Sequence, residues 1–126
     1  MSTEVDVTEA GVEVRFRGLD RALALSGGVV LAADEIVAAG RAPQAELRAP
    51  LRFRVGGGYW PGGFTTGWFT ERSRKGVLQL WSVYRDPEVL FIDTTRQRPC
   101  RLVLQHPDHA ALAARINDVR KPSPSA

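Results

Sequence analysis

The segment "TGWFTERSRKGVLQLWSVYRDPEVLFIDTT", residues 66–95, contains three extended apolar runs separated by two short polar turns. The first turn, "SRKG", has the length of a hairpin connection, and the second, "DPE", puts a proline where no backbone donor is needed. Both turns are too short for the crossover that a parallel pair of strands requires. The segment therefore predicts three strands that are antiparallel neighbours.

The chain before this segment continues the strand pattern. Apolar and charged residues alternate in "VEVRFRG" (12–18) and again in "LRFRV" (51–55), as in strands with one buried face. Shorter strands are predicted at "VVLA" (29–32) and "EIVAAG" (35–40). The remaining connections are a short helical turn at "LDRALALS" (19–26) and a loop or single turn at "RAPQAELRAP" (41–50).

A last strand, "CRLVLQ" (100–105), is followed by an amphipathic helix. Pro107 is suited to a first helical position, and Asp108 follows where the helix dipole favours a negative charge. Leu112, Ile116 and Val119 recur on one helical face. This helix is expected to cover the open end of the strands. The pattern predicts a mainly β protein, a seven-stranded antiparallel barrel or orthogonal sandwich capped by one C-terminal α-helix.

Length and composition fit a single soluble domain. The chain has 126 residues, of which 44% are hydrophobic and 25% charged. We expect the domain to span 12–120, between a flexible acidic N-terminus (1–11) and a disordered tail (121–126). A net charge of +3 argues against nucleic-acid binding. A lone cysteine and the lack of a signal peptide or transmembrane segment predict a cytoplasmic protein.

The strand order and three particular stretches resemble the pleckstrin-homology-like (PH-like) domains of small actinobacterial proteins. The stretches are "VEVRFRGLDRALAL", "YWPGGFTTGWFTERSRKGVLQLWSVYRDPEVLFIDT" and "CRLVLQHPDHAALAARI", which together span most of residues 10–120. The resemblance implies a bacterial, non-enzymatic binding scaffold. Phosphoinositide-binding members carry lysines and arginines on the first strand pair; here that region has Arg15, Arg17 and Arg21 without lysine, which argues against inositol phosphates.

The glycine-rich stretch "GGGYWPGGF", residues 56–64, has neither the lysine of a P-loop nor the βαβ context of a dinucleotide fingerprint. Two interpretations remain. Its aromatic residues cover an end of the barrel, or they form the lip of a binding site. In the second case the apolar contacts are Tyr59, Trp60, Pro61 and Phe64.

Basic residues near this stretch suggest how a partner is oriented. Arg52 and Arg54 are expected on the outer face of one strand, and Arg74 and Lys75 at a hairpin tip. A protein or peptide partner is the main hypothesis, and an exposed sheet edge could also accept a partner strand. The alternative is peripheral binding of anionic membrane lipid through these four basic residues.

No constellation of residues indicates catalysis, a metal or a cofactor. His106, Asp108 and His109 are ligand types, but the helix start puts His106 outside the first turn and leaves the other two without an assured third ligand, so they are better explained as a helix N-terminus. Strand alternation places Cys100 on the same face as Leu102. We therefore interpret it as a small buried residue rather than a nucleophile. The sequence thus predicts a non-catalytic binding or adaptor module.

Overall fold

The computed structural model describes residues 2–17, 28–49, 51–56, 59–60, 64–71, 74–83 and 87–119. At 2–3, 17, 52–56, 59–60 and 64–65 the description covers the backbone alone. The helical turn expected over 19–26 and the tail expected over 121–126 lie outside the described residues. The described part is mainly β with a C-terminal helix, as expected from the sequence.

The N-terminal strands form a three-stranded antiparallel sheet. Its strands are β1 (Ser2–Thr8), β2 (Gly11–Arg17) and β3 (Gly28–Ala32), in that order across the sheet. The alternation seen in "VEVRFRG" is that of β2, whose Val12, Val14 and Phe16 are buried. Residues 2–8, which the sequence analysis assigns to a flexible N-terminus, are instead strand β1, which pairs with β2 over its whole length.

Gly11 closes the β1–β2 hairpin in a conformation that favours glycine. Its φ is +147°, and a Cβ at this position would lie 2.0 Å from the carbonyl oxygen of Leu31. The lack of a side chain therefore allows β3 to approach β2 closely at the turn. The chain then leaves the sheet through the 3₁₀ helix Ala33–Glu35.

The remaining strands form a seven-stranded sheet. They are β4 (Ile36–Pro43), β5 (Leu51–Gly56), β6 (Tyr59–Trp60), β7 (Phe64–Glu71), β8 (Leu78–Val83), β9 (Glu88–Thr94) and β10 (Arg101–Leu104). Their order is β4-β9-β10-β8-β7-β5, with β6 paired to β7. A short helix, α1 (Gln44–Arg48), connects β4 to β5 in the region expected to be a loop or single turn.

One pairing differs from the sequence expectation. The strands after residue 66 were predicted to be antiparallel neighbours, and this holds for β7–β8 and β9–β10. However, β10 inserts between β8 and β9 and runs parallel to β8, with Leu102 opposite Leu80. The short turn after β8 therefore leads to a strand two positions away, so a short connection did not imply adjacent strands.

The main core lies between the two sheets and under the C-terminal helix, α2 (His109–Val119). Leu112 and Ile116 of α2 are buried there, which confirms most of the predicted apolar stripe, while Val119 is half-buried. The helix packs against β4, β9 and β1. It begins at His109, two residues after the predicted start at Pro107. Residues 107–108 form a turn instead.

A second cluster occupies the opposite face of the seven-stranded sheet. It contains Leu47 of α1 with Phe69, Trp81, Val83, Val89 and Val103. Trp81 is completely buried, as its position in the most apolar strand predicted. Since both faces of β8 are buried, its sequence reads as a nearly continuous apolar run.

The predicted closure of the strands into a barrel is not observed. Within the described ranges, the edge strands are β1 and β3 in the smaller sheet and β4 and β5 in the larger one, where the two-residue β6 also lies on the β5 side. The helix α2 therefore covers one face of two packed open sheets, rather than the mouth of a closed barrel.

Candidate functional site

The residues proposed as partner contacts gather along one edge of the larger sheet. Tyr59 pairs with Thr65 and Trp60 with Phe64, so β6 and β7 form a hairpin at the end of the glycine-rich stretch. Because β8 occupies the other side of β7, β6 lies on the same side as β5. Thus four residues of the glycine-rich stretch, Gly56, Tyr59, Trp60 and Phe64, have paired backbones. Pro61 lies outside the described residues.

The edge strand β5 carries Arg52 and Arg54. Its pairing with β7 is irregular, since the register shifts between Leu51 and Arg54 and again between Arg54 and Gly56. Strict alternation, the argument that put both arginines on one face, requires a regular ladder. Their common orientation therefore remains a prediction.

The other two predicted basic contacts differ in their availability. Arg74 donates from Nε to one oxygen of Glu71 at 2.8 Å and from Nη2 to the other at 3.0 Å. Lys75 is exposed in the turn before Gly76. Hence Arg74 is committed to an internal ion pair, whereas Lys75 faces solvent.

Glu71 is the centre of a polar group of residues, here named the Glu71 cluster, in which Arg74 is exposed and the other members are buried. Besides Arg74, Gln79 donates to its Oε2 at 2.7 Å and the Cys100 thiol donates to the same oxygen at 3.1 Å. The indole of Trp81 in turn donates to Oε1 of Gln79 at 3.0 Å. Hydrogen bonding from Arg74 above all lowers the pKa of Glu71 to about 2, against the opposing effect of burial.

The same cluster determines the chemistry of Cys100. Burial, together with the hydrogen bond to the Glu71 carboxylate, raises the pKa of the thiol to about 12. Cys100 is buried, as predicted, but its sulfur meets a carboxylate instead of a purely apolar environment. Since the thiolate is the nucleophilic form, a thiol with this pKa is poorly suited to covalent catalysis.

The two histidines at the start of α2 make contacts with residues close to them in the chain. The amide of Asp108 donates to Nδ1 of His106 at 3.1 Å, and Nδ1 of His109 lies 3.1 Å from the His106 carbonyl oxygen. Nε2 of His109 lies 3.9 Å from Glu88. Within the ranges described above, no three His, Cys, Asp or Glu side chains are grouped so as to hold a metal ion.

Sequence reasoning missed a groove of about 800 Å³ across the three-stranded sheet. It is lined by residues from β1, β2 and β3, with Arg115 of α2 beyond one edge and the Glu35–Arg96 pair beyond the other. Arg96 contacts Glu35 through Nε at 2.7 Å and Nη2 at 2.9 Å. This contact, more than any other, lowers the pKa of Glu35 to about 2.

A cross-strand charge cluster lies on the exposed face of the same sheet. Arg15 of β2 pairs with Asp6, with Glu4 at 3.4 Å and with Glu13 at 3.7 Å. Three carboxylates thus surround one guanidinium, and all four side chains are more than 40% exposed. The acidic N-terminal residues are therefore part of a folded surface, a role that their sequence alone did not reveal.

Two general findings complete the description. Of the helices that the structure describes, none combines the length and hydropathy of a membrane span. Comparison of the chain with family models, with curated proteins and with solved structures gives no match.

Proposed function

We propose that this protein is a non-catalytic binding or adaptor domain of the bacterial cytoplasm that engages a protein or peptide partner. The observation that carries the proposal is the meeting of β5, β6 and β7 at one edge of the larger sheet. This pairing gathers two arginines and three aromatic residues within a short length of paired chain. Aromatic and arginine side chains dominate the binding energy of most protein interfaces.

In this proposal Tyr59, Trp60, Pro61 and Phe64 supply apolar contacts, and Arg52 and Arg54 orient the partner. The affiliation with PH-like scaffolds is supported by the sequence resemblance and by a C-terminal helix packed on a mainly β core. The parallel β8–β10 pair and the two open sheets depart from the antiparallel barrel expected of such a scaffold. The proposal therefore depends on the site and only secondarily on the affiliation.

Two features of the described residues favour binding over catalysis. The Glu71 carboxylate accepts hydrogen bonds from three side chains, so it is held as an internal anion rather than poised to accept a proton. Cys100 is buried with a raised pKa. A general base or nucleophile needs a pKa near the working pH and access to a substrate.

The experiment compares wild type with Trp60→Ala and a matched control, Val37→Ala. Val37 is an apolar side chain, 48% exposed, on β4 at the opposite edge of the same sheet. Partners captured from lysate by the wild-type domain are identified by quantitative mass spectrometry, and the strongest is purified for titration. We expect Trp60→Ala to weaken this affinity at least tenfold and Val37→Ala to leave it within twofold.

A partner list and affinity unchanged by Trp60→Ala would contradict the proposal. The lipid alternative is tested by flotation with vesicles of phosphatidylcholine containing 30% phosphatidylserine, at low and high salt. We expect no salt-sensitive flotation, because the net charge of the chain is only +3 and Arg74 is paired with Glu71. Flotation that is abolished by Arg52→Ala, Arg54→Ala and Lys75→Ala together would favour the membrane instead.

A further inference from the structure

The edge strands of the two described sheets differ in how their outward backbone groups are hydrogen-bonded. An edge strand exposes amides and carbonyls that can pair with another chain, and proteins usually protect them. At β3, Arg96 donates to the carbonyl of Val30, and the amide of Ala32 donates to Glu35 at 2.9 Å. The Glu35–Arg96 ion pair thus takes the place of a neighbouring strand.

The two edges of the larger sheet are protected in other ways. At β4, the carboxamide of Asn117 accepts from the amide of Ala39 at 3.0 Å and donates to its carbonyl at 2.8 Å. At β5, register shifts flank Arg54, and such irregularities disrupt the template for an added strand.

Among the described edge strands longer than two residues, β1 alone is both regular and largely open. All seven of its residues pair with β2 without a register shift. Of its outward backbone groups, the Val7 carbonyl accepts a hydrogen bond from Arg115 Nη2 at 3.3 Å. Since amides and carbonyls change sides at each residue, those of Val5 face the same open side as the Val7 carbonyl. No hydrogen bond within the described residues satisfies them.

We propose that β1 accepts an extended segment of a partner protein as an added strand, and that this segment alternates basic and apolar residues. One face of β1 carries Glu4 and Asp6, and the carboxylates of both contact the guanidinium of Arg15, as does that of Glu13. The other face carries Val5 and Val7, which are half-buried against the main core. An added strand places its side chains on the same two faces, so basic residues meet the carboxylates and apolar residues extend the core.

The same charges disfavour a second copy of this chain in the two pairings that align the whole of β1. In an antiparallel pairing of two β1 strands centred on Val5, Glu4 of each copy would face Asp6 of the other. A parallel pairing in register would put each carboxylate beside its own counterpart. Like charges directly opposite one another destabilise a strand pair. A basic segment from another protein has no such conflict.

This inference rests on the proposed function, a peptide-binding module, but it assigns the partner to a different strand. The probe is a synthetic seven-residue peptide of alternating lysine and valine, acetylated and amidated, with a glutamate–valine peptide of the same length as control. Amide hydrogen exchange of the full chain is followed by NMR. We expect the lysine–valine peptide to slow exchange of the Val5 amide at least tenfold and the glutamate–valine peptide to leave it unchanged.

Two further peptides test the backbone pairing itself. One is N-methylated at its valine amides and the other at its lysine amides. An antiparallel added strand bonds to β1 through its valine amides and a parallel one through its lysine amides, so one of the two peptides should lose binding and the other keep it. Equal binding by both methylated peptides would overturn the proposal, because pairing through the backbone would then be excluded.

Protein variants separate this inference from the function proposed above. Asp6→Lys should weaken binding of the lysine–valine peptide about fivefold by turning attraction into repulsion, while Trp60→Ala should leave it unchanged. Val5→Pro should abolish the slowing of exchange by the peptide, followed in this variant at the Val7 amide, and preserve the fold, because the Val5 amide has no partner in the described chain and edge positions tolerate proline. Absence of Val5 protection, or protection along β5 instead, would overturn the β1 assignment while leaving the proposed domain function standing.

Discussion

At the scale of single residues, the clearest consequence concerns Glu71. Because its pKa is lowered from 4.5 to about 2 in the folded chain, its ionised form stabilises the fold at neutral pH. That stabilisation is lost as the pH falls from about 4.5 towards 2. We expect Glu71→Gln to lower the free energy of unfolding at pH 7 by about 2 kcal/mol, with a smaller loss at pH 2.5.

Urea unfolding of wild type and Glu71→Gln at pH 7, 4 and 2.5 measures this effect. Glu46→Gln, an exposed glutamate in α1, is the matched control and should change the free energy by less than about 0.5 kcal/mol. The same loss at pH 7 and pH 2.5 would show that Glu71 contributes through its shape and not its charge.

At the scale of secondary-structure elements, local patterns identified most strands but not the contacts that protect the edge strands. The alternation in "VEVRFRG" and the apolar run of β8 predicted buried strands correctly, since both depend on the immediate sequence. Strand β1 was missed because Glu4 and Asp6 look like a solvated tail until Arg15, on the next strand, is brought beside them. Charge balance across a hairpin is not visible in a local window.

The contact between α2 and β4 gives the element-scale prediction. Asn117 satisfies both outward groups of Ala39, which is 78 positions away in the chain. Removing this carboxamide leaves an amide and a carbonyl unpaired at the edge. We expect Asn117→Ala to lower the free energy of unfolding by about 1–2 kcal/mol, and Asp118→Ala, at the exposed next position, by less than about 0.5 kcal/mol.

Thermal and urea unfolding of both variants, with hydrogen exchange of the Ala39 amide, measures the effect. Exchange at Ala39 should accelerate in Asn117→Ala alone. Equal stability of the two variants would mean that water replaces the carboxamide without cost.

At the scale of the whole molecule, the sequence predicted a mainly β chain with a C-terminal helix but not the topology or the edges. The position of β10 between β8 and β9 depends on which strands fit together after collapse, and the short turn after β8 carries no signal of it. The candidate site was predicted as a cluster of residue types, since aromatic residues beside glycines are conspicuous in sequence. Its paired backbone and the open edge of β1 were not, because both depend on neighbours distant in the chain.

The shared core predicts that the two sheets unfold as one unit. Leu31 of β3 is completely buried in the core that also contains Ile92 of β9 and Ile116 of α2. Leu31→Ala should lower the free energy of unfolding by about 2–5 kcal/mol. The chain's three tryptophans, at 60, 68 and 81, all lie in strands of the larger sheet, so their fluorescence reports on that sheet and, through Trp68, on its packing against the shared core.

A substitution in the smaller sheet should therefore shift the fluorescence transition of the larger one. We expect fluorescence and far-ultraviolet circular dichroism to give coincident urea transitions in wild type and in Leu31→Ala. Val30 is the adjacent position on the opposite face and is 61% exposed. By either probe, Val30→Ala should change the free energy of unfolding by no more than about 0.5 kcal/mol. If circular dichroism recorded an early transition in Leu31→Ala while fluorescence kept its wild-type midpoint, the smaller sheet would be an independent unit. The open edge of β1 would then belong to a sheet that unfolds separately from the rest of the molecule. The free energy of strand addition at β1 would then have to be compared with the free energy of unfolding that sheet.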